Sequence, residues 1–303
     1  IHPDIIHIHN LHGYYINYKL LFKYFSDSDI PIVWTLHDCW LFTGHCTYFD
    51  YCNCEKWKEC CSKCPQINTY PSAYLDNSAT TKPCDECVSA IMNMLTDNFG
   101  NPSSLHNLGI NAMKEIILAR GAIADSLGVD KDEIIFTSGA TEANNMALFG
   151  AAKAKKRLGN RIVTTAIEHE SVLESAKELE KQGFEVVFLK PDIHGNISEE
   201  QLFEAVNKDT ILVSMMYINN EVGTVMPVKS VAKAVKRAGA LALVHIDCVQ
   251  AYGKVNINPK KLGAALVSIT AHKIHGPKGV GALYVNKNAN LTDQNFARTF
   301  GGE

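Results

Sequence analysis

From residue 133 onward, short apolar runs alternate with amphipathic stretches, and this pattern narrows the fold more than any other feature of the sequence. Runs at 133–137, 161–165, 185–189, 211–216, 241–246 and 266–270 read as strands. Helical patterns from about Thr141, from about Glu170, at 199–205 and at 228–238 separate them. Buried β-runs alternating with helices imply an α/β fold, with a mainly parallel sheet covered on both faces. Such sheets bind ligands beyond the carboxyl ends of their strands. The polar residues that break the pattern sit just after strands, so they are the candidates for chemistry.

The front of the chain is of another kind. The first 72 residues hold Trp34, Trp40 and Trp57, 14 of the 26 aromatics and seven of the ten Cys. A boundary is expected at Pro71-Ser72-Ala73, where a loop signal meets a new strand. A length of 303 residues allows about two domains. In the front part, 4–10 and 32–38 alternate like strands around a helical pattern at 18–25, a small partial βαβ segment. The cluster Cys52, Cys54, Cys60, Cys61 and Cys64 reads either as a zinc site or as local stapling of a loop. Its spacing matches no two-pair zinc pattern.

Composition removes several function classes. With 29 basic and 32 acidic residues the net charge is −3, which argues against a nucleic-acid partner. A hydrophobic content of 46% with 20% charged residues fits a globular chain with a sizeable core. No apolar run approaches the ~20 residues of a membrane span, so no membrane partner is expected. The opening Ile1-His2-Pro3-Asp4 lacks the basic flank and apolar stretch of a signal peptide, and a cytoplasmic protein is expected.

Five strand-end motifs carry the chemistry. Phe136-Thr137-Ser138-Gly139-Ala140-Thr141-Glu142 runs from a strand into a helix start, as an anion cradle or as a plain capped turn. Ala166-Ile167-Glu168-His169-Glu170-Ser171 places His169 where it is either structural or stacked on an aromatic cofactor. Tyr217-Ile218-Asn219-Asn220-Glu221-Val222-Gly223 sets amides at another strand end, or forms a turn. Val244-His245-Ile246-Asp247-Cys248-Val249-Gln250 ends a strand on an acid that either caps a helix or faces a cationic ring nitrogen. Ser268-Ile269-Thr270-Ala271-His272-Lys273 puts a lysine after a buried run, as a Schiff-base amine or as a surface residue of a glycine-rich loop. Taken in order, a phosphate cradle, a planar histidine, a ring-nitrogen acid and a Schiff-base lysine fit one cofactor, pyridoxal 5′-phosphate.

Residues 74–303 resemble the front part of a cysteine desulfurase, a class V member of the fold-type-I pyridoxal phosphate enzymes. The likeness is carried by Tyr74-Leu75-Asp76-Asn77-Ser78-Ala79-Thr80-Thr81, by Phe99-Gly100-Asn101-Pro102-Ser103-Ser104, by the Ser138-to-Glu142 loop and by the Lys273 motif. The resemblance implies a large domain over 73–303, with a mainly parallel sheet of the seven-stranded type. It also implies roles. Lys273 holds the cofactor covalently and moves the substrate's Cα proton, and Asp247 pairs with the ring nitrogen. Gln250 and Asn220 contact the ring hydroxyl. His169 stacks on the ring and helps transfer protons. Ala140, Thr141, Thr270 and His272 hold the phosphate, with Thr270 standing where many relatives have Ser. The implied reaction takes L-cysteine to L-alanine and passes sulfur on as an enzyme persulfide. A sulfur-acceptor or iron–sulfur scaffold protein and a homodimer are the implied partners. No metal is expected in the site.

The family's nucleophilic cysteine and substrate-gripping arginine lie past the Gly301-Gly302-Glu303 point, with the small C-terminal domain. The residues present are therefore expected to be incomplete for turnover. Cys248 is expected to pack, and so is the Cys84/Cys87 pair, a C-x-x-C on a predicted helix without a second ligand pair. Residues 1–72 resemble a fragment of a group 1 glycosyltransferase. That likeness rests on Trp34-Thr35-Leu36-His37-Asp38-Cys39-Trp40 with Thr43-Gly44-His45-Cys46. It includes no nucleotide-sugar domain, so glycosyl transfer is not expected. The alternatives to a desulfurase are another class V enzyme, such as a selenocysteine lyase or an aminotransferase, or a non-catalytic pyridoxal phosphate-binding fragment.

Overall fold

The computed structural model describes residues 6–9, 23–25, 27, 32–35, 77–289 and 291. The chain divides into two compact units, Ile1–Asn77 and Ser78–Glu303. In the first, β1 (Ile6–His9) pairs in parallel with β2 (Ile32–Thr35), Ile6 opposite Ile32 and His9 opposite Thr35. The cysteine cluster from Cys52 to Cys64 and the motif beyond Thr35 lie outside the described residues.

The second unit is built on seven strands: β3 (Ile134–Thr137), β4 (Arg161–Thr165), β5 (Glu185–Leu189), β6 (Thr210–Met216), β7 (Leu243–Asp247), β8 (Leu266–Thr270) and β9 (Gly281–Val285). Their order across the sheet is β3-β9-β8-β7-β6-β4-β5, and only β9 runs antiparallel to its neighbours. The helices are α1 (Asp85–Thr96), α2 (Asn107–Leu127), α3 (Ala140–Lys155), α4 (Glu170–Lys181), α5 (Glu199–Ala205), α6 (Val228–Ala238) and the single turn α7 (Pro259–Leu262). Among the described residues, no helix is long and apolar enough to cross a membrane.

Both faces of the sheet are buried, which is why its strands read as near-continuous apolar runs. Side chains alternate across a strand, so each strand feeds two cores. Leu212, Leu243, Leu266 and Leu283 pack with Ala143, Ala147 and Ala151 of α3 and Val172 and Ala176 of α4. Val213, Val244, Ile246, Val267 and Ile269 pack on the other side with Leu127 of α2, Leu202 of α5 and Val231 of α6. Each helix shows the sheet one stripe: α6 buries Val228, Val231 and Ala234, one per turn. The exception is α1, which buries no residue and leaves Val88, Met92 and Leu95 exposed.

Strand β9 was not expected from the sequence, where Gly279-Val280-Gly281 reads as the tail of a glycine-rich loop. It slots between β3 and β8, and Gly281 stands opposite both Thr137 and Thr270. A Cβ on Gly281 would lie 2.8 Å from Gly139 Cα and 2.8 Å from the Ile269 carbonyl oxygen. Both obstacles are backbone, so neither can swing aside. Gly281→Ala is expected to lower stability by about 1–3 kcal/mol, as other forced overpacking does, read as a lower denaturant midpoint. An unchanged midpoint would mean that β3 and β8 separate freely.

Candidate active site

Strands β3, β4, β6, β7 and β8 are parallel to one another, so their carboxyl ends share one edge of the sheet. The five strand-end motifs lie on that edge. Asp247 is the last residue of β7 and is 4% exposed. Val249 N–H donates to its Oδ1 at 2.9 Å, and Asn144 Nδ2 of α3 donates to its Oδ2 at 2.8 Å. Burial raises the Asp247 pKa; the two hydrogen bonds and the His169 and Lys273 side chains pull it back down. The acid is thus desolvated, and both of these hydrogen-bond donors are neutral.

A polar chain leads from Asp247 to the histidine. Asn144 Nδ2 also donates to Ser171 Oγ at 2.9 Å, and Ser171 Oγ lies 2.9 Å from His169 Nδ1. His169 caps α4 by accepting from Ser171 N–H, which fixes the ring at the mouth of β4. Asn144 has no place in the sequence motifs, and Ser171 enters them only as the last residue of the His169 motif, without a role. The available signal was Asn144-Asn145 inside a helix, where asparagine is a poor former.

Lys273 closes a 3-10 turn, Ala271–Lys273, directly after β8. Its Nζ donates to the Ser78 carbonyl and, at 2.7 Å, to the Ala79 carbonyl. Gln250 Nε2 donates to the same Ser78 carbonyl at 2.8 Å. His272 Nδ1 lies 3.0 Å from Thr80 Oγ1, and burial, with Lys273 and Lys278 nearby, lowers its pKa. Thr270 is buried and its hydroxyl donates to the Val280 carbonyl at 3.2 Å. The register through Gly281 brings Thr270 beside the start of α3. There Gly139 has φ 153, and a Cβ placed on it would meet nothing within 4 Å. That open space adjoins the Ala140 and Thr141 amides, which as helix-start donors lack intrahelical acceptors.

Asn220, Glu168 and His169 line a cleft of about 460 Å³ with Ile167 and Val222. Asn219, rather than Asn220, is the buried member of the amide pair: it donates to the Ile167 carbonyl and accepts from Glu221 and Val222 N–H. Asn220 donates to Glu221 Oε1 at 2.6 Å.

Residues 73–302 match the family model for class-V aminotransferases. The chain belongs to that family. The class-V aminotransferases depend on pyridoxal phosphate. The chain is 44% identical over 220 residues to "Cysteine desulfurase IscS" of Methanosarcina thermophila, covering 73% of this chain and 54% of that one. It therefore spans about half the length of the curated relatives it matches. Among solved structures, a "NifS-like protein" superposes with a TM-score of 0.71 at 40% identity, covering 75% of this chain and 61% of that one. "SspA in complex with cysteine" superposes with a TM-score of 0.69 at 36% identity, covering 76% and 65%.

The donor set of this class-V aminotransferase fits its cofactor. A buried carboxylate held by neutral donors matches a protonated ring nitrogen, and the open helix start at Gly139 matches a phosphate. Cys248 is fully buried, and burial pushes its thiol well up, so it packs as expected and is a poor nucleophile. Cys84 contradicts the packing expectation. It is exposed, because α1 presents its first turn to solvent instead of to a core.

Two further buried groups make stability depend on pH with opposite signs. Glu168 is 5% exposed; its Oε1 accepts from Thr165 Oγ1 and Met216 N–H, while its buried Oε2 has no partner among the described residues. Burial pushes its pKa to about 8 from an ordinary 4.5. Between those values the folded chain holds a proton that the unfolded chain has lost, so stability falls as pH rises. His245 lies between Ser214 Oγ at 2.8 Å and Ser268 Oγ at 2.9 Å, and burial lowers its pKa to about 3. Below its ordinary 6.5 the unfolded chain binds a proton that the folded chain refuses, so stability falls as pH drops. Glu168→Gln removes only the first effect. The stability of E168Q minus that of the wild type is expected to grow by about 1.4 kcal/mol per pH unit from near 4.5 to near 8, then level off. Urea titrations across that range measure it; a flat difference would mean that Glu168 is ionised in the fold.

Proposed function

We propose that residues 73–303 are the cofactor-binding large domain of a cysteine desulfurase, which converts L-cysteine to L-alanine and passes the sulfur to a thiol as a persulfide. The observation that carries this reading is the buried Asp247 carboxylate, linked through Asn144 and Ser171 to His169 and close enough to Lys273 to feel its charge. The relatives named as cysteine desulfurases and the neighbour solved with cysteine support the choice of substrate.

When bound, pyridoxal phosphate supplies an electron sink for bond breaking at an amino acid's Cα. Lys273 would hold it covalently, and the Lys273 amine would take the Cα proton. Asp247 keeps a proton on the ring nitrogen, and Asn144 and Val249 N–H aim that carboxylate. His169 would stack on the ring and relay protons. Gln250 and Asn220 serve the ring hydroxyl. The Ala140 and Thr141 amides, with Thr270 and His272, bind the phosphate. In this reading the sulfur goes on to an acceptor or iron–sulfur scaffold protein, two copies of the chain associate, and the protein works in the cytoplasm. Residues 1–72 are a glycosyltransferase-like segment without a part in this chemistry.

Incubation with pyridoxal phosphate, borohydride reduction and peptide mapping test the cofactor assignment. One phosphopyridoxyl group on Lys273 is expected; scattered labelling of other lysines would overturn it. Deuterium exchange at Cα then tests the substrate. L-Cysteine is expected to exchange faster than L-serine or L-aspartate, and a preference for another amino acid would remove the desulfurase reading while leaving the cofactor site in place.

A further inference from the structure

The pair Cys84 and Cys87 has no role in the site above, and neither residue is buried in a core. Cys84 is the N-cap of the twelve-residue helix α1, with extended backbone at φ −72 and ψ 160. Its side chain makes no capping hydrogen bond, and its thiol is exposed. Cys87 is partly exposed one helical turn on. Residues three apart on a helix face each other, with Cβ atoms about 5–6 Å apart. A disulfide needs about 3.5–4.5 Å. Cys84 is the non-helical N-cap, so rotation about its ψ moves its Cβ relative to Cys87 without unwinding α1, and swings the Cys84 N–H that bonds the His275 carbonyl. Among the described residues, no group of three His, Cys, Asp or Glu is placed to hold a metal ion.

The pair is also tied to the Lys273 loop. Cys84 N–H donates to the His275 carbonyl at 3.0 Å, and His275 N–H donates to Thr81 Oγ1 at 2.6 Å. Thr81 N–H in turn donates to the His272 carbonyl at 2.7 Å. His275 has φ 63, the one positive φ outside glycine among the described residues. Such a conformation persists only where its surroundings hold it. The segment that ends in Cys84 grips it from both sides.

We propose that Cys84 and Cys87 form a redox-active dithiol that small disulfide compounds convert to an intramolecular disulfide. The exposed Cys84 sulfur attacks one sulfur of the small disulfide, whose S–S bond breaks and releases one thiol. Cys87 then attacks the Cys84 sulfur of the mixed disulfide and releases the second thiol. Two protein thiols are oxidised, one small disulfide is reduced to two thiols, and their protons are carried by those products. The inference does not depend on the function proposed above.

The test uses the full chain and hydroxyethyl disulfide, a neutral probe that the intervening Asp85 and Glu86 do not repel. After treatment, remaining thiols are alkylated and the peptide containing residues 84–87 is weighed. The wild type is expected to lose two hydrogens there, with no probe attached and no alkylation. Cys87→Ser is expected to keep one probe group on Cys84, and Cys84→Ser to leave Cys87 alkylated. Dithiothreitol should reverse the wild-type change. A wild-type peptide that retains the probe, as Cys87→Ser does, overturns the proposal, and so does one in which both thiols are alkylated.

Discussion

Lys273→Ala is expected to abolish borohydride-trapped cofactor and to slow Cα exchange of L-cysteine by about 10²–10⁴-fold, the usual loss when a positioned proton-transfer group is removed. The fold should survive, because Lys273 stands on a 3-10 turn after β8 and outside both cores. Lys273→Arg sharpens the test. A guanidinium keeps the positive charge beside the Ser78 and Ala79 carbonyls but stays protonated and forms no Schiff base. If Lys273 served only to clamp those carbonyls, the arginine variant would retain function. The expected result is that it fails as completely as alanine. Denaturation curves for both variants separate loss of chemistry from loss of fold. Trapping of the cofactor on Lys278 in either variant would move the assignment to the glycine-rich loop.

Strands β4, β5 and β8 fall on the expected ranges 161–165, 185–189 and 266–270. Strand β8 is buried throughout and shows its length as an apolar run, whereas β5 is a partly buried edge strand that shows itself through Val186-Val187-Phe188-Leu189. β7 begins at Leu243, two residues later than expected. The apolar residues Ala240 to Ala242 belong to the exit from α6, whose end is set by Gly239 at φ 64. The missed β9 has the same apolar character in Ala282-Leu283-Tyr284-Val285, but its leading glycines read as loop. Those glycines are part of the strand's construction, since only Gly281 fits between Gly139 and Ile269.

The site was legible as types of residue at strand ends, but not as contacts. Asp247 and Lys273 stood out because an acid and a lysine directly after buried runs are uncommon. Asn144 could not be paired with Asp247 from the sequence, since 103 residues separate them. Glu168 reads in the sequence only as a neighbour of His169, because nothing local marks it as buried. Its burial comes from β6, whose Met216 N–H it accepts across the sheet. Periodicity shows which residues go inside; it does not show which distant donors meet them.

Asp247→Asn is expected to be the second most damaging change at the site, and the reason lies in its two donors. Asn144 Nδ2 and Val249 N–H each point at a different carboxylate oxygen. An asparagine has one oxygen and one NH₂, so one donor must face another donor. A buried donor left unpaired costs about 1–3 kcal/mol, and this sets the expected loss of stability in the cofactor-free chain. The charge is lost as well. In the wild type, cofactor at about 100 times its Kd should raise stability by about 2.7 kcal/mol. Truncating one partner of a buried charge pair costs about 2–5 kcal/mol, and about 1.4 kcal/mol is a factor of ten in Kd. The same cofactor concentration should therefore leave D247N almost unstabilised. Asn144→Ala removes one donor but keeps the carboxylate, so its loss of cofactor affinity should fall between the two. This ordering separates a charge role from a turn role. If Asp247 served only to hold Val249 N–H at the end of β7, D247N could keep its oxygen on that amide, and both variants would bind cofactor as the wild type does.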